Sequence, residues 1–319
     1  MDVLSDVIAV MRAGRPVSTR LAWRAPWGQR FASVPGAAGV QVILRGSCWL
    51  LPDAADPVPL GAGDVLFMAH GQGHALADDP ATPPRPCDPE LRAEPFTGEP
   101  DGVTLCGAYE LDPAHTHPLL LDLPGLIHLP AHLERSPELR ATVDLLAAEL
   151  ERPRPGTDAL VPALLDMLLL YVLRTWLDTH PARGWATALR DPAVGAALQA
   201  VHRDPAAPWT VASLAAVAGL SRAPFARRFT ALVGQPPLAY LTWWRMTTAA
   251  RLLRRSDAPL SAIADRVGYT SEFAFAAAFK RRFGTAPGRF RRAGQAAEAA
   301  PSTERPGPPF HAGTRLICA

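Results

Sequence analysis

Three stretches in the last third of this 319-residue chain carry cationic side chains at helical spacing. In RAPFARRF, burying Phe225 and Phe229 leaves Arg222, Ala223, Ala226 and Arg227 facing outward. A guanidinium donates two parallel hydrogen bonds to guanine O6 and N7, so Arg227 has the chemistry of a base reader. Arg228 lies further round, where a phosphate is the expected partner. In LAYLTWWRMTTAARLLRRS, the residues Arg245, Arg251 and Arg254 can hold backbone phosphates, contacts that fix position without reading sequence. In EFAFAAAFKRR, Phe275 and Phe279 face inward and Glu272, Phe273, Ala274 and Ala277 outward. Lys280, Arg281 and Arg282 gather at the far end of that segment.

The elements that position these residues can be read from punctuation. Thr210 is an N-cap, Gly219 ends the helix it opens, and Ser221 caps the next. The pattern returns with Ser261, Ile263, Ala264 and Val267, then Gly268, then Ser271. A helix, a glycine turn and a second helix is the helix-turn-helix signal. Two such units on one module suit successive major grooves about 34 Å apart.

Charge divides the chain in the same place. Residues 186–295 hold 16 Lys and Arg against 5 Asp and Glu, a net of +11. The rest holds 16 basic and 25 acidic residues, a net of −9. A basic module joined to an acidic one implies a polyanionic partner at one end. Upstream, VQVILRG, SCWLL, GDVLFMA and GVTLCGAYEL read as short strands between turns. Residues 78–101, rich in proline and acid, read as a long loop. The expected divisions are a β-rich regulatory domain at 1–132 and a helical linker or dimerisation segment at 133–185. A double helix-turn-helix domain at 186–295 and a disordered tail at 296–319 complete them. The longest apolar run, 159–177, is broken by Pro162, Asp166 and Arg174, so no membrane span is expected. The start lacks a basic leader followed by an apolar stretch, which points to the cytoplasm. Cys48, Cys87, Cys106 and Cys318 form no CxxC pair, leaving a zinc site without support.

The spans LAAVAGLSRAPFARRFTALVGQPPLAYLTWWRM and IADRVGYTSEFAFAAAFKRRFGTAPGRFRR resemble the two motifs of the AraC/XylS family of transcription regulators. The likeness covers about residues 191–292. It implies that Arg222, Ala223, Ala226 and Arg227, then Glu272, Phe273, Ala274 and Ala277, face bases. Ala277 stands where an arginine is common in the family, so the second helix is expected to read more by apolar contact or DNA shape.

The N-terminal half resembles the cupin-type sensor domain of one subgroup, through APWG, RGSCWL, GAGDVLFMAHGQGHALADD and TLCG. The resemblance implies an antiparallel cupin-like β-barrel, followed by an all-α domain with two helix-turn-helix motifs joined by a long helix. It makes His74 a candidate metal ligand, but the strand at 40–49 has neither histidine nor acid, so no metal and no cofactor are expected. His115 and His117 form HxH in a turn beyond the sheet. Some regulators of the subgroup are thought to sense oxidants through cysteines. Val17–Thr19 occupies the strand where one such cysteine would lie. An apolar effector near Trp23, Trp27 and Trp49 is the larger expectation, with His74, Cys48 and Cys106 as further sensing candidates. The partners expected are double-stranded DNA, a small effector and a second copy of the chain, docked through the N-terminal domain or linker helices. The competing reading is a cupin metalloenzyme fused to a nucleic-acid-binding module.

Overall fold

The computed structural model describes residues 2–11, 16–53, 55–86, 98–111, 117–131, 136–180 and 184–299. They fall into two compact units.

The first unit is built on two five-stranded sheets. Its strands are β1 (Val17–Trp23), β2 (Gly28–Phe31), β3 (Ala37–Arg45), β4 (Ser47–Leu51), β5 (Val58–Gly61), β6 (Val65–Met68), β7 (His74–Ala77), β8 (Arg85–Pro86), β9 (Gly102–Glu110) and β10 (Leu126–Leu129). One sheet has the order β1-β9-β3-β6-β10 and the other β5-β4-β7-β2-β8. The expected closed barrel is corrected by this topology: the sheets stay separate, and β8 pairs with β2 in parallel. Closure depends on pairing between strands distant in sequence, which alternation does not encode. Phe31, Leu50 and Leu76 from one sheet meet Ile43, Leu66 and Cys106 from the other in a shared core.

Strand β9 is buried over eight of its nine residues because both its faces are covered. Cys106 and Ala108 point into the core between the sheets. On the opposite face, Tyr109 donates from its hydroxyl to the Leu165 carbonyl at 2.6 Å. Leu165 belongs to α4 (Thr157–Thr179), which packs against α3 (Pro137–Glu151). By length and composition α4 is the one helix among the described residues able to cross a membrane. Its Leu165, Leu168, Val172 and Leu173 are nevertheless fully buried, as in the core helix of a folded domain.

The second unit is helical. It contains α1 (Val3–Met11), α2 (Pro118–Leu121), α5 (Gly184–Arg190), α6 (Pro192–Arg203), α7 (Val211–Val217), α8 (Arg222–Val233), α9 (Pro237–Arg255), α10 (Leu260–Arg266), α11 (Glu272–Phe283) and α12 (Pro287–Ala299). These groupings differ from the divisions read in the sequence. Helix α1 packs with the helical unit, and α3 and α4 pack with the sheets. Helix α12 runs to Ala299, past the point where a disordered tail was expected to begin; residues 300–319 lie outside the described residues.

Candidate nucleic-acid interface

Helices α7 and α10 are each seven residues long, and α8 and α11 are each twelve. Helix α7 opens with a capping box: Ser213 N donates to Thr210 Oγ1 at 3.0 Å, and Thr210 N donates to Ser213 Oγ at 2.8 Å. Ser271 Oγ accepts from Ala274 N at 3.4 Å and caps α11. Ser221 occupies the cap position of α8 but makes no side-chain cap bond. Between the helices of each pair the chain turns through a glycine in the left-handed region, Gly219 at φ +65° and Gly268 at φ +76°.

The inner faces match. Phe225 and Phe229 are fully buried with ring centroids 5.6 Å apart, and Phe275 and Phe279 are fully buried at 5.8 Å. That burial turns Arg222, Ala223 and Arg227 to solvent and leaves Ala226 half-buried. On α11, Glu272, Phe273, Ala274 and Ala277 are all exposed, with Phe273 at 89%. Lys280, Arg281 and Arg282 are exposed at the far end of the same helix.

The remaining arginines differ in where their charge is committed. Arg228 donates from Nε to Asp191 Oδ2 at 2.8 Å, and its Nη2 bonds to the same oxygen. Asp191 also caps α6, accepting from Ala193 N and Val194 N. Burial pushes the Asp191 carboxyl up, but Val194 N–H and Arg228 outweigh it and hold the group below its usual range. Arg245 donates to the carbonyls of Pro205 and Ala207 at 2.7 and 2.9 Å, and burial lowers its pKa. Both arginines, expected at phosphates, bond to acceptors within the protein: Arg228 to the buried Asp191 carboxylate and Arg245 to partly buried carbonyls. Arg251 is half-buried, and burial, then neighbouring Arg255, lowers its pKa. Arg254 lies 5.0 Å over the Phe290 ring.

A chain of buried polar groups beneath this surface was not read from the sequence. Leu119 N donates to His117 Nδ1 at 2.9 Å, which fixes the His117 proton on Nε2. His117 Nε2 then donates to the Tyr240 hydroxyl at 3.2 Å. The hydroxyl donates to His202 Nε2 at 2.6 Å, and His202 Nδ1 donates to Asp6 Oδ2 at 3.3 Å. Burial lowers the pKa of both histidines and raises that of Tyr240. The chain ties α1, the cap of α2, α6 and α9 together. His117 is one half of the HxH pair; His115 lies outside the described residues.

The sensing candidates are scattered. Trp23 and Trp27 stack at 4.4 Å, and Trp23 Nε1 donates to Thr104 Oγ1 at 2.9 Å. Trp49 does not join them: alternation along β4 turns Cys48 and Leu50 into the core and Trp49 to the other face. Burial pushes both Cys48 and Cys106 up to about 12. The thiolate that an oxidant attacks is therefore scarce at either sulfur. Cys106 Sγ donates to Gln41 Oε1 at 2.7 Å, Gln41 Nε2 to His74 Nε2 at 3.2 Å, and His74 Nδ1 to the Gln72 carbonyl at 3.4 Å. Burial brings the His74 pKa down to about 4. The cavity beside this relay holds about 40 Å³, room for a water and not for an ordinary effector. Among the described residues, no group of three or more His, Cys, Asp or Glu is arranged to hold a metal ion. Cys87 and Cys318 lie outside the described residues.

Residues 2–178 match the cupin family model, and residues 214–293 match a helix-turn-helix domain. An AraC-like transcription regulator of Streptomyces lividans is 37% identical over 304 residues, 92% of this chain and 98% of its own length. The chain belongs to the AraC family of transcription regulators. AlkR of Acinetobacter baylyi is 30% identical over 91% of this chain and 99% of its own length. RclR of Escherichia coli, described as an RCS-specific transcriptional activator, is 32% identical over 91% and 97%. As an AraC-family protein the chain is a DNA-binding transcription regulator, with a cupin-like N-terminal domain and a C-terminal helix-turn-helix domain.

Proposed function

We propose that α7–α8 and α10–α11 are two helix-turn-helix units that present α8 and α11 to successive major grooves of one duplex. The observation that carries this reading is the recurrence of one scaffold at an interval of 50 residues, with each second helix bare on its outer face. Arg222 and Arg227 read bases from α8, with Ala223 and Ala226 allowing close approach. Glu272, Phe273, Ala274 and Ala277 face bases from α11. Phosphates are held by Lys280, Arg281 and Arg282, with Arg254 and Arg251 contributing from α9. Arg228 and Arg245 position the helices rather than touch DNA.

The sandwich unit is the regulatory half of this reading, and the chain acts as a regulator rather than an enzyme. A groove beside β1, lined by Ser18, Arg20, Arg154 and Thr157, encloses about 630 Å³ and has the size for a small effector. Homodimerisation is assigned to the α3–α4 pair, where Leu145 is 56% exposed, Leu160 49% and Met167 40%. Sedimentation of the Leu160→Lys and Met167→Lys variants tests it: the account expects monomers, and an unchanged mass contradicts it.

The DNA-reading assignment is tested by footprinting and competition at fixed salt. Arg227→Ala should weaken a selected site by about 1–3 kcal/mol and relax preference at one base pair. Equal weakening on every duplex would make Arg227 a phosphate contact.

A further inference from the structure

Phe273 is 89% exposed, more than any other large apolar side chain among the described residues. It sits two residues after the cap Ser271, in the first turn of α11, the part of a recognition helix that meets base edges. It adds nothing to the core, which on this helix is made by Phe275, Ala278 and Phe279. Its outward neighbours Ala274 and Ala277 are too short to hold the helix off a groove floor. Its exposed chain neighbour is Glu272, which accepts hydrogen bonds and is repelled by guanine O6 and N7.

The major groove offers one apolar feature, the 5-methyl group of thymine. Resting on the reading of α11 as a recognition helix, we infer that Phe273 packs on thymine 5-methyl groups, so that the half-site under α11 is rich in thymine and poor in guanine. Helix α8, with Arg222 and Arg227 outward, takes the opposite preference and selects guanine. The two halves of the operator thus differ in composition because the two helices differ in chemistry.

The test uses the full chain. Duplexes are selected from a random pool at fixed salt, and the enriched site is resynthesised with deoxyuridine replacing each thymine in turn, which removes only the methyl. Wild-type protein should bind about fourfold more weakly at one or two such positions under α11, the loss expected for one buried methyl. Phe273→Ala should bind the thymine and deoxyuridine duplexes alike, and Arg227→Ala should keep the wild-type ratio. Because Phe273 lies outside the core, circular dichroism of Phe273→Ala should match wild type. A wild-type ratio near one at every position overturns the methyl assignment while leaving DNA reading intact. A ratio that survives in Phe273→Ala overturns the role of that residue. A pool that yields no enriched sequence overturns the recognition-helix reading itself, and this inference with it.

Discussion

Between α7–α8 and α10–α11 the inner residues Phe225 and Phe275, and Phe229 and Phe279, repeat at an interval of 50, as do the left-handed C-caps Gly234 and Gly284. The outer residues do not repeat. Helix α8 carries Arg222 and Arg227 outward, whereas α11 carries Glu272 and Phe273. Packing constrains the inner face, because a close-packed core tolerates few changes of volume. The outer residues are mostly exposed, so packing leaves them free to differ, and in the proposed reading their differences reflect what each helix meets. The surroundings of the two pairs differ as well. Phe229 lies 6.0 Å from Tyr240 and so adjoins the buried histidine chain, while Phe275 and Phe279 pack with Met246, Leu253, Ile263 and Val267.

The largest effects should confirm the shared scaffold. Phe229→Ala and Phe279→Ala should each cost about 3–5 kcal/mol in chemical denaturation. A loss below about 1 kcal/mol in either would break the equivalence. The turn glycines should separate the pairs. At Gly268 a methyl would meet the Ala206 carbonyl at 2.7 Å, whereas at Gly219 it would meet nothing. Gly268→Ala should cost about 2–3 kcal/mol and Gly219→Ala about 1 kcal/mol, the latter being only the left-handed penalty. Equal losses would mean that the space around Gly268 relaxes freely.

Two smaller effects separate structural from DNA-facing cations. Arg228→Ala should lower stability by about 1 kcal/mol, by removing bonds to Asp191, and leave the salt dependence of DNA binding unchanged. Lys280→Ala should leave stability within about 0.5 kcal/mol and reduce the salt slope by about 1. A reversed pattern would exchange their roles. The last effect is of pH. His117 and His202 have folded pKa values below the unfolded value of about 6.5, so the unfolded chain takes up protons that the folded chain does not. The stability they allow is complete above about pH 6.5 and is lost as pH falls below it. Hydrogen exchange between pH 7 and 5 should show the amides of Phe225 and Phe229 losing protection before those of Phe275 and Phe279. Simultaneous loss would detach the histidine chain from the first pair.

The helical pairs were legible in the sequence because their signals are local: a cap, a glycine and two phenylalanines within about 20 residues. The sandwich was legible as strands but not as two separate sheets, because β1 pairs with β9 across 79 to 91 residues. The placement of Trp49 is legible in strand alternation, since Cys48 and Leu50 on either side of it are core residues. The histidine chain left no sequence signal: its partners are 38, 123 and 196 residues apart. The commitment of Arg228 and Arg245 to protein acceptors was hidden for the same reason, as spacing on a helix gives a direction and not a partner.

Hydroxyl-radical footprinting of the full chain on a selected duplex tests the paired-reader account most directly. Two protected windows on one face, separated by about 10–10.5 base pairs, are the result it predicts. A single window, or even protection along the whole duplex, would contradict it.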